Sequence, residues 1–297
     1  MPCGRDDNPY NVLMPELPEV ETVARGLRAC LTGRTITKVT VHWPGSIGTP
    51  GPRRFAQSLA GRLVTDVHRR GKWIVIELND GQTLLVHLRM TGQLLLEHAD
   101  CPVDDYTRVV FSLDKSSGAG CDHLCLRFSD MRKFGRLILT DDPSDVLGEL
   151  GPEPLADDFT VERFRCMLAK RRGRIKSLLL NQHFLVGLGN IYVNEALWRA
   201  HIHPLRSAHS LSSDEVEALH EAIRFVLRAA IAGGGTTLEN GNFRQVHGET
   251  GEFAGQLQIY GCEGESCACC GSLVQRIKVG QRGTYFCPQC QPPPDVE

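Results

Sequence analysis

The 297-residue sequence predicts an α+β protein built in separate parts: an antiparallel β-sandwich or barrel behind a leading helix, then a helical region, then a small metal-holding hairpin. Three observations predict this. Between residues 35 and 140 short β-prone runs follow one another at strand length, parted by turn residues such as Asn79-Asp80-Gly81. After an acidic, proline-bearing stretch the texture turns helical. Near the end, Cys267-x-x-Cys270 and Cys287-x-x-Cys290 stand sixteen residues apart, the spacing of two thiolate knuckles closing on one tetrahedral Zn²⁺.

The leading helix is placed at 18–31. Pro18 suits a first helical position, Glu19 and Glu21 favour the positive end of the helix dipole, and Val20, Val23, Leu27 and Leu31 form a stripe that Gly33 terminates. The strand candidates are ITKVTVHW, WIVIEL, TLLVHL, QLLLE, RVVFSL, LCLRF and RLILT. They belong to a first domain at 14–139. A linker at 140–155 carries Pro143, Pro152 and Pro154. In the helical domain, 156–256, the clearest element begins at Ser212-x-x-Glu215, a capping box. It continues through Val216, Leu219, Ile223, Val226, Leu227 and Ala230 on one face and stops at Gly233-Gly234-Gly235. Residues 233–256 are rich in Gly, Asn and Thr and are expected to form a mobile loop. The metal hairpin fills 257–291, and Gln291–Glu297 is expected to fray. The Gly187-x-Gly189 pair is not a dinucleotide fingerprint, because Tyr192 stands where the third Gly is needed and no strand precedes it.

Composition excludes several classes. Apolar residues at 41% and charged residues at 23% are too apolar for a disordered chain. No apolar run approaches the ~18–20 residues that span a bilayer, and the first residues lack the apolar core of a signal peptide. The expectation is therefore a cytoplasmic protein. A net charge of −2 conceals a lopsided distribution. Residues 140–162 hold eight carboxylates and no Lys or Arg, whereas 163–178 hold Arg163, Arg165, Lys170, Arg171, Arg172, Arg174 and Lys176 and no carboxylate. With Arg69-Arg70-Gly71-Lys72 and with Arg276, Lys278 and Arg282, these cations suggest a stripe able to displace counterions from phosphates; singly, each cluster also reads as a solvated face.

Of the twelve cysteines, Cys267, Cys270, Cys287 and Cys290 fit one structural Zn²⁺. Cys262 and Cys269 lie close enough to compete as ligands, and the dispersed Cys3, Cys30, Cys101, Cys121, Cys125 and Cys166 read as reduced thiols. The start Met14-Pro15-Glu16 offers different chemistry. Once an initiator Met is excised, Pro15 carries a free secondary amine, and an α-amino group titrating near ~8 is partly neutral and nucleophilic at pH 7. Attack on a sugar C1′ would give a cationic iminium, an electron sink for elimination, with Glu16 alongside to shuttle protons. A helix-entry proline is the plainer reading of the same residue.

Taken in order, MPELPEVETVARGL (14–27), RRGKWIVIEL (69–78), HLRMTGQL (87–94), DMRKFGRL (130–137), LGPEPL (150–155), GLGNIYVNEALW (187–198), GGTTL (234–238) and GQRGTYFCPQC (280–290) resemble the bacterial formamidopyrimidine-DNA glycosylases, a branch of the group that includes endonuclease VIII. The resemblance implies a β-sandwich, a helix–two-turns–helix domain with a lesion-recognition loop at 233–256, and a zinc-ribbon hairpin, the two larger parts facing each other across a cationic cleft. It implies a monomer acting on damaged double-stranded DNA near the bacterial nucleoid. The activity would be excision of oxidised purines (8-oxoguanine and formamidopyrimidines) followed by β,δ-elimination. Pro15 would be the Schiff-base nucleophile, Glu16 the proton donor, Lys72 an aid to β-elimination and Arg282 to δ-elimination. Met90, Arg132 and Phe134 match the family's inserted side chains, which fill the stack when a nucleotide is everted; on neighbouring strands, Met90 and Phe134 would otherwise be core. Asn190 with Lys176 and Arg171 matches the phosphate grip.

Departures accompany the resemblance. Thirteen residues precede Met14, and if retained they turn the Pro15 nitrogen into a non-nucleophilic amide; the expectation is that Met14 is the true initiator. A DNA-contacting His of the family falls at Asp104, and the segment 239–253 is altered. The competing readings are an oxidised-pyrimidine glycosylase of the endonuclease VIII type, a non-catalytic zinc-ribbon nucleic-acid-binding protein, and a structural zinc protein.

Overall fold

The computed structural model describes residues 14–114, 124–238 and 241–294. The leader 1–13, Cys121, Glu239-Asn240 and the last three residues lie outside that description, and with them the expectations placed there. The described chain forms two compact units. One runs up to Glu149 and takes back Gly234–Gly251; the other holds Leu150–Gly233 and the chain from Glu252 onward.

In the first unit, helix α1 (Leu17–Leu31) buries the predicted stripe, Val20, Val23, Leu27 and Leu31, against strands β2 (Arg62–Arg70) and β3 (Trp73–Leu78). The other strands are β1 (Thr35–Val41), β4 (Thr83–His87), β5 (Gly92–His98), β6 (Thr107–Leu113), β7 (Leu124–Asp130) and β8 (Arg136–Thr140). Their order is β5-β7-β6-β1-β2-β3-β4-β8, antiparallel throughout. The β1–β2 junction is held only at Thr35↔Leu63 and Ile36↔Arg62, so the ribbon folds there. Val64, Val67, Ile74, Ile76, Leu84 and Val86 from one half meet Leu94, Val109, Phe111, Leu126 and Phe128 from the other in a single core. The sheet is thus a sandwich.

Sequence reading missed β2 because its register slips between Val64 and Asp66. The bulge puts its buried residues, Val64 and Val67, three apart, and the alternation that marks a strand disappears. It also missed the short helix α2 (Pro52–Leu59), which buries only Phe55 and Leu59.

The segment 234–251, assigned with the helices and expected to be mobile, packs on the sandwich. Phe243 and Val246 enter its core, and the Val246 carbonyl accepts from Leu96 N–H of edge strand β5 at 2.7 Å. Val246 sits over Gly26 of α1, where an added Cβ would come within 2.6 Å of its Cγ2. That close approach explains a glycine inside a helix.

The second unit contains α4 (Val161–Leu168), α5 (Ile175–Leu179), α6 (Asn190–Arg199) and α7 (Ser213–Ala232), preceded in the linker by α3 (Ser144–Leu147). The Ser212/Glu215 box forms reciprocally, at 3.2 and 2.8 Å, and the whole predicted stripe of α7 is buried. Strands β9 (Gln275–Val279) and β10 (Arg282–Phe286) make the C-terminal hairpin. Gln291 does not fray: it is fully buried, donating to Ile202 O at 2.8 Å and accepting from Cys287 N–H at 2.9 Å. No helix among the described residues is long and apolar enough to cross a membrane.

Candidate nucleic-acid interface and metal centre

The first unit gathers Pro15, Glu16, Lys72, Met90, Arg132 and Phe134. Pro15 and Glu16 are buried where α1 begins. Glu16 is the helix N-cap, and its carboxylate accepts from the Glu19 backbone N–H. The Glu19 carboxylate returns the bond, accepting from Glu16 N–H at 2.8 Å, and its other oxygen accepts from Thr236 N–H at 2.7 Å. One buried carboxylate thus fixes both the start of α1 and the entry to segment 234–251. The Glu-x-x-Glu spacing was the available signal for Glu19; nothing local pointed to Thr236.

Lys72 occupies the two-residue turn between β2 and β3 and is largely buried. Beside it, His87 packs edge-on against Trp73 at 4.8 Å and accepts from Arg89 N–H through Nδ1 at 3.0 Å. Burial, reinforced by the charges of Arg89 and Lys72, lowers the His87 pKa to about 3, so its ring is neutral. Arg69, counted with the cationic stripe, instead turns inward to Glu21 of α1 at 2.9 Å. Burial pushes the Glu21 carboxyl upward, yet bonds from Arg69 and Arg25 hold it below the ordinary carboxylate value.

Met90 lies in the β4–β5 loop, and Arg132 and Phe134 lie in the β7–β8 loop. Met90 and Phe134 line one cavity with Met14, Arg89 and Arg136, and the Arg132 guanidinium sits 5.0 Å from the Phe134 ring centre. Phe134 is 47% exposed, which no core role explains. Beneath both loops lies Asp130, a buried carboxylate the sequence did not single out. Asp104 turns back on its own chain, its Oδ1 accepting from Tyr106 N–H at 2.9 Å and from the Thr107 hydroxyl at 2.7 Å. It caps the entry to β6.

The second unit carries Arg171, Lys176, Asn190, Arg282 and the four cysteines. Asn190 opens α6, and its Nδ2 donates to Gly283 O at 3.0 Å. Lys176 does not fit a phosphate grip. It is fully buried, and its ammonium donates to Asn194 Oδ1 and Gly283 O, each at 3.2 Å, and to Thr284 Oγ1 at 2.7 Å. Three donors are what an ammonium has. Lys176 is therefore a tie between α5, α6 and β10, whereas Arg171 remains exposed, 5.9 Å from the Phe184 ring centre. Arg282 follows the turn Gly280-Gln281, with φ of 54° and 63°, the pair of positive values a type I′ hairpin requires. The guanidinium is carried exposed on a hairpin braced from behind by Lys176 and Asn190.

The Sγ atoms of Cys267, Cys270, Cys287 and Cys290 lie within 4.8 Å of one another. Thiolates ~2.3 Å from a tetrahedral Zn²⁺ stand about 3.8 Å apart, and here Cys267–Cys290 is 3.9 Å and Cys270–Cys287 is 3.4 Å. The set fits one zinc with every coordination position filled. The Ser272 hydroxyl and backbone N–H hold the Cys270 thiol down at about 6, and Trp198 donates to Cys267 Sγ at 3.4 Å. Cys262 and Cys269 stand outside the group. Glu195 of α6, also unforeseen, accepts the backbone N–H groups of Gln258, Ile259 and Tyr260 at 2.9–3.2 Å and so anchors the chain entering the hairpin. Its burial pushes the carboxyl pKa up.

Three family models match successive parts of the chain: the formamidopyrimidine-DNA glycosylase N-terminal domain at residues 14–137, the H2TH domain of the same enzymes at 150–241, and a zinc finger found in FPG and IleRS at 264–293. A formamidopyrimidine-DNA glycosylase of Herpetosiphon aurantiacus is 48% identical over 282 residues, which is 94% of this chain and all of that one. The chain belongs to the formamidopyrimidine-DNA glycosylase family. Among solved family structures, Lactococcus lactis Fpg in complex with N7-benzyl-Fapy-dG DNA is 37% identical with a TM-score of 0.85. The same protein with abasic-site DNA is 36% identical at 0.85, and each covers 94% of this chain and 100% of that one. The family's N-terminal model starts at Met14.

Proposed function

We propose that this chain is a bifunctional DNA glycosylase and AP lyase of base excision repair. It removes oxidised purines from double-stranded DNA and then cuts the strand by β,δ-elimination. The observation that carries the reading is the 48% identity along 94% of the chain to a curated glycosylase.

In this reading the Pro15 nitrogen, freed as a terminal amine, attacks C1′ of an everted nucleotide. The C1′–N glycosidic bond breaks, its electron pair leaves with the base, and Glu16 supplies the proton that neutralises it. Loss of the amine proton and ring opening give the iminium. Removal of a C2′ proton then expels the 3′ phosphate, and removal of a C4′ proton expels the 5′ phosphate. Hydrolysis of the remaining Schiff base restores the amine. Lys72 assists the first elimination, and Arg282 stabilises phosphate in the second. Met90, Arg132 and Phe134 occupy the vacated stack. Arg171 and the start of α6 at Asn190 contact phosphates. Zinc, held by the four cysteines, supplies no step; it keeps the Arg282 hairpin rigid. The protein works as a monomer in the bacterial cytoplasm, at the nucleoid.

The test compares strand cleavage of duplexes bearing 8-oxoguanine and thymine glycol. Preferred cleavage of 8-oxoguanine is expected. Preference for thymine glycol would move the protein to the oxidised-pyrimidine class, and cleavage of neither would make it a binding protein.

A further inference from the structure

Met90 and the Arg132/Phe134 pair stand on different loops, yet both loops terminate on one carboxylate. Asp130, 1% exposed at the end of β7, accepts from the Thr91 hydroxyl through Oδ1. The same oxygen accepts from Arg132 N–H at 3.2 Å, and Oδ2 accepts from Gly135 N–H at 2.7 Å. Thr91 follows Met90 directly, and its hydroxyl oxygen also accepts from Arg132 N–H at 3.1 Å. The carboxylate therefore grips the β7–β8 loop before and after Phe134 and, through Thr91, the β4–β5 loop one residue past Met90. Its own backbone is pinned as well: Asp130 N–H donates to Tyr106 O at 2.9 Å, and Arg108 Nε donates to Asp130 O at 2.8 Å.

The loops need such a grip. Arg89, beside Met90, has φ of 56°, and Lys133, between Arg132 and Phe134, has φ of 60°. Non-glycine residues in that region are strained by about 1–3 kcal/mol each and persist where their surroundings dictate the conformation. Each loop has one such residue, next to the side chain it presents.

We infer that Asp130 is a positioning residue that locks the two loops into one preformed wedge, so that Met90, Arg132 and Phe134 enter the duplex together. The inference rests on the glycosylase reading, in which these three side chains replace an everted nucleotide. A wedge set in advance spends no binding energy on ordering its loops during eversion. The carboxylate's chemistry is specific: every group facing it is an N–H or O–H donor, so an amide of the same shape must turn its own N–H₂ toward one of them.

The experiment uses 8-oxoguanine duplexes with 2-aminopurine beside the lesion, whose fluorescence rises when the stack opens. Asp130→Asn and Thr91→Val are compared with the unsubstituted protein and with Met90→Ala. Thr91→Val removes the link between loops and leaves both backbone bonds to Asp130 in place, so it decides the matter if Asp130→Asn fails to fold. The expected result is a fluorescence rise and a single-turnover excision rate both slowed at least tenfold, as in Met90→Ala, while the Kd for the duplex changes less than threefold. A merely structural residue would not slow stack opening in a folded, DNA-binding variant. Folded variants that open the stack at the unsubstituted rate would overturn the inference. Failure of the underlying reading is distinguishable: the unsubstituted protein itself would neither open the stack nor excise the base, and the inference would fall with it.

Discussion

A Lys176→Met variant keeps the length and apolar stem of the side chain and removes only the ammonium. That ammonium makes three hydrogen bonds at 2.7–3.2 Å from a site with no exposure. Bonds to a charged group contribute about 1.5–3 kcal/mol each, but simple addition overstates the loss because every acceptor keeps another contact. Asn194 Oδ1 still accepts from Tyr285 N–H at 3.0 Å, Gly283 O still accepts from Asn190 Nδ2 at 3.0 Å, and the Thr284 hydroxyl still donates to Arg282 O at 3.2 Å. The variant also escapes the desolvation of a buried charge. The net expectation is a loss of about 2–4 kcal/mol, read by urea unfolding of the zinc-loaded protein. The salt dependence of duplex binding supplies the second readout. A lost phosphate contact lowers the slope of log K against log salt by about 0.9, whereas the loss of an internal tie leaves the slope in place. Unchanged stability together with a slope lowered by that amount would refute the placement of Lys176.

The remaining predictions concern other joints. Gly26→Ala improves helix propensity by about 1 kcal/mol, yet it drives a Cβ against Val246 and should destabilise the first unit by about 1–2 kcal/mol net; adding Val246→Ala should restore part of the loss in a double-mutant cycle. Glu21 has a folded pKa below its usual 4.5, so its stabilisation is full above that pH and fades as pH falls through the folded value; Glu21→Gln should be less stable than the unsubstituted protein at pH 7 and converge with it in acid unfolding curves. His87, held neutral to about 3, binds its proton more readily in the unfolded chain, so stability falls as pH drops from about 6.5 toward 3, and His87→Gln should flatten that limb. Cys287→Ser should lose the single zinc, measured by metal analysis, whereas Arg282→Ala should retain it and lose strand cleavage.

Much of the fold was legible because its signals are local. WIVIEL and RLILT coincide with β3 and β8, the Ser212 box and its stripe define α7, and the cysteine spacing defines the metal set. What escaped depends on distance or on broken patterns. β2 hid behind a bulge, and segment 234–251 looks unstructured by composition because its order comes from Val246 and Phe243 seated in a core formed far away in sequence. The candidate side chains were found by motif, but their supports were not. Glu19, Asp130 and Glu195 are buried carboxylates that each accept from groups distant in sequence, Thr236 N–H, the Thr91 hydroxyl and the Gln258–Tyr260 N–H groups, and no local sequence pattern announces a donor that tertiary structure delivers. Lys176 shows the converse: it sits in a run of cations and is read as one of them until its burial separates it.

The central claim is that the imino nitrogen of Pro15 forms the covalent bond to DNA. Borohydride trapping on an 8-oxoguanine duplex, followed by mass spectrometry of the cross-linked peptide, addresses it directly. The expected product is a reduced adduct on a peptide whose first residue is Pro15. An adduct on an internal lysine, or full cleavage activity from chains that still carry residues ahead of Pro15, would contradict it.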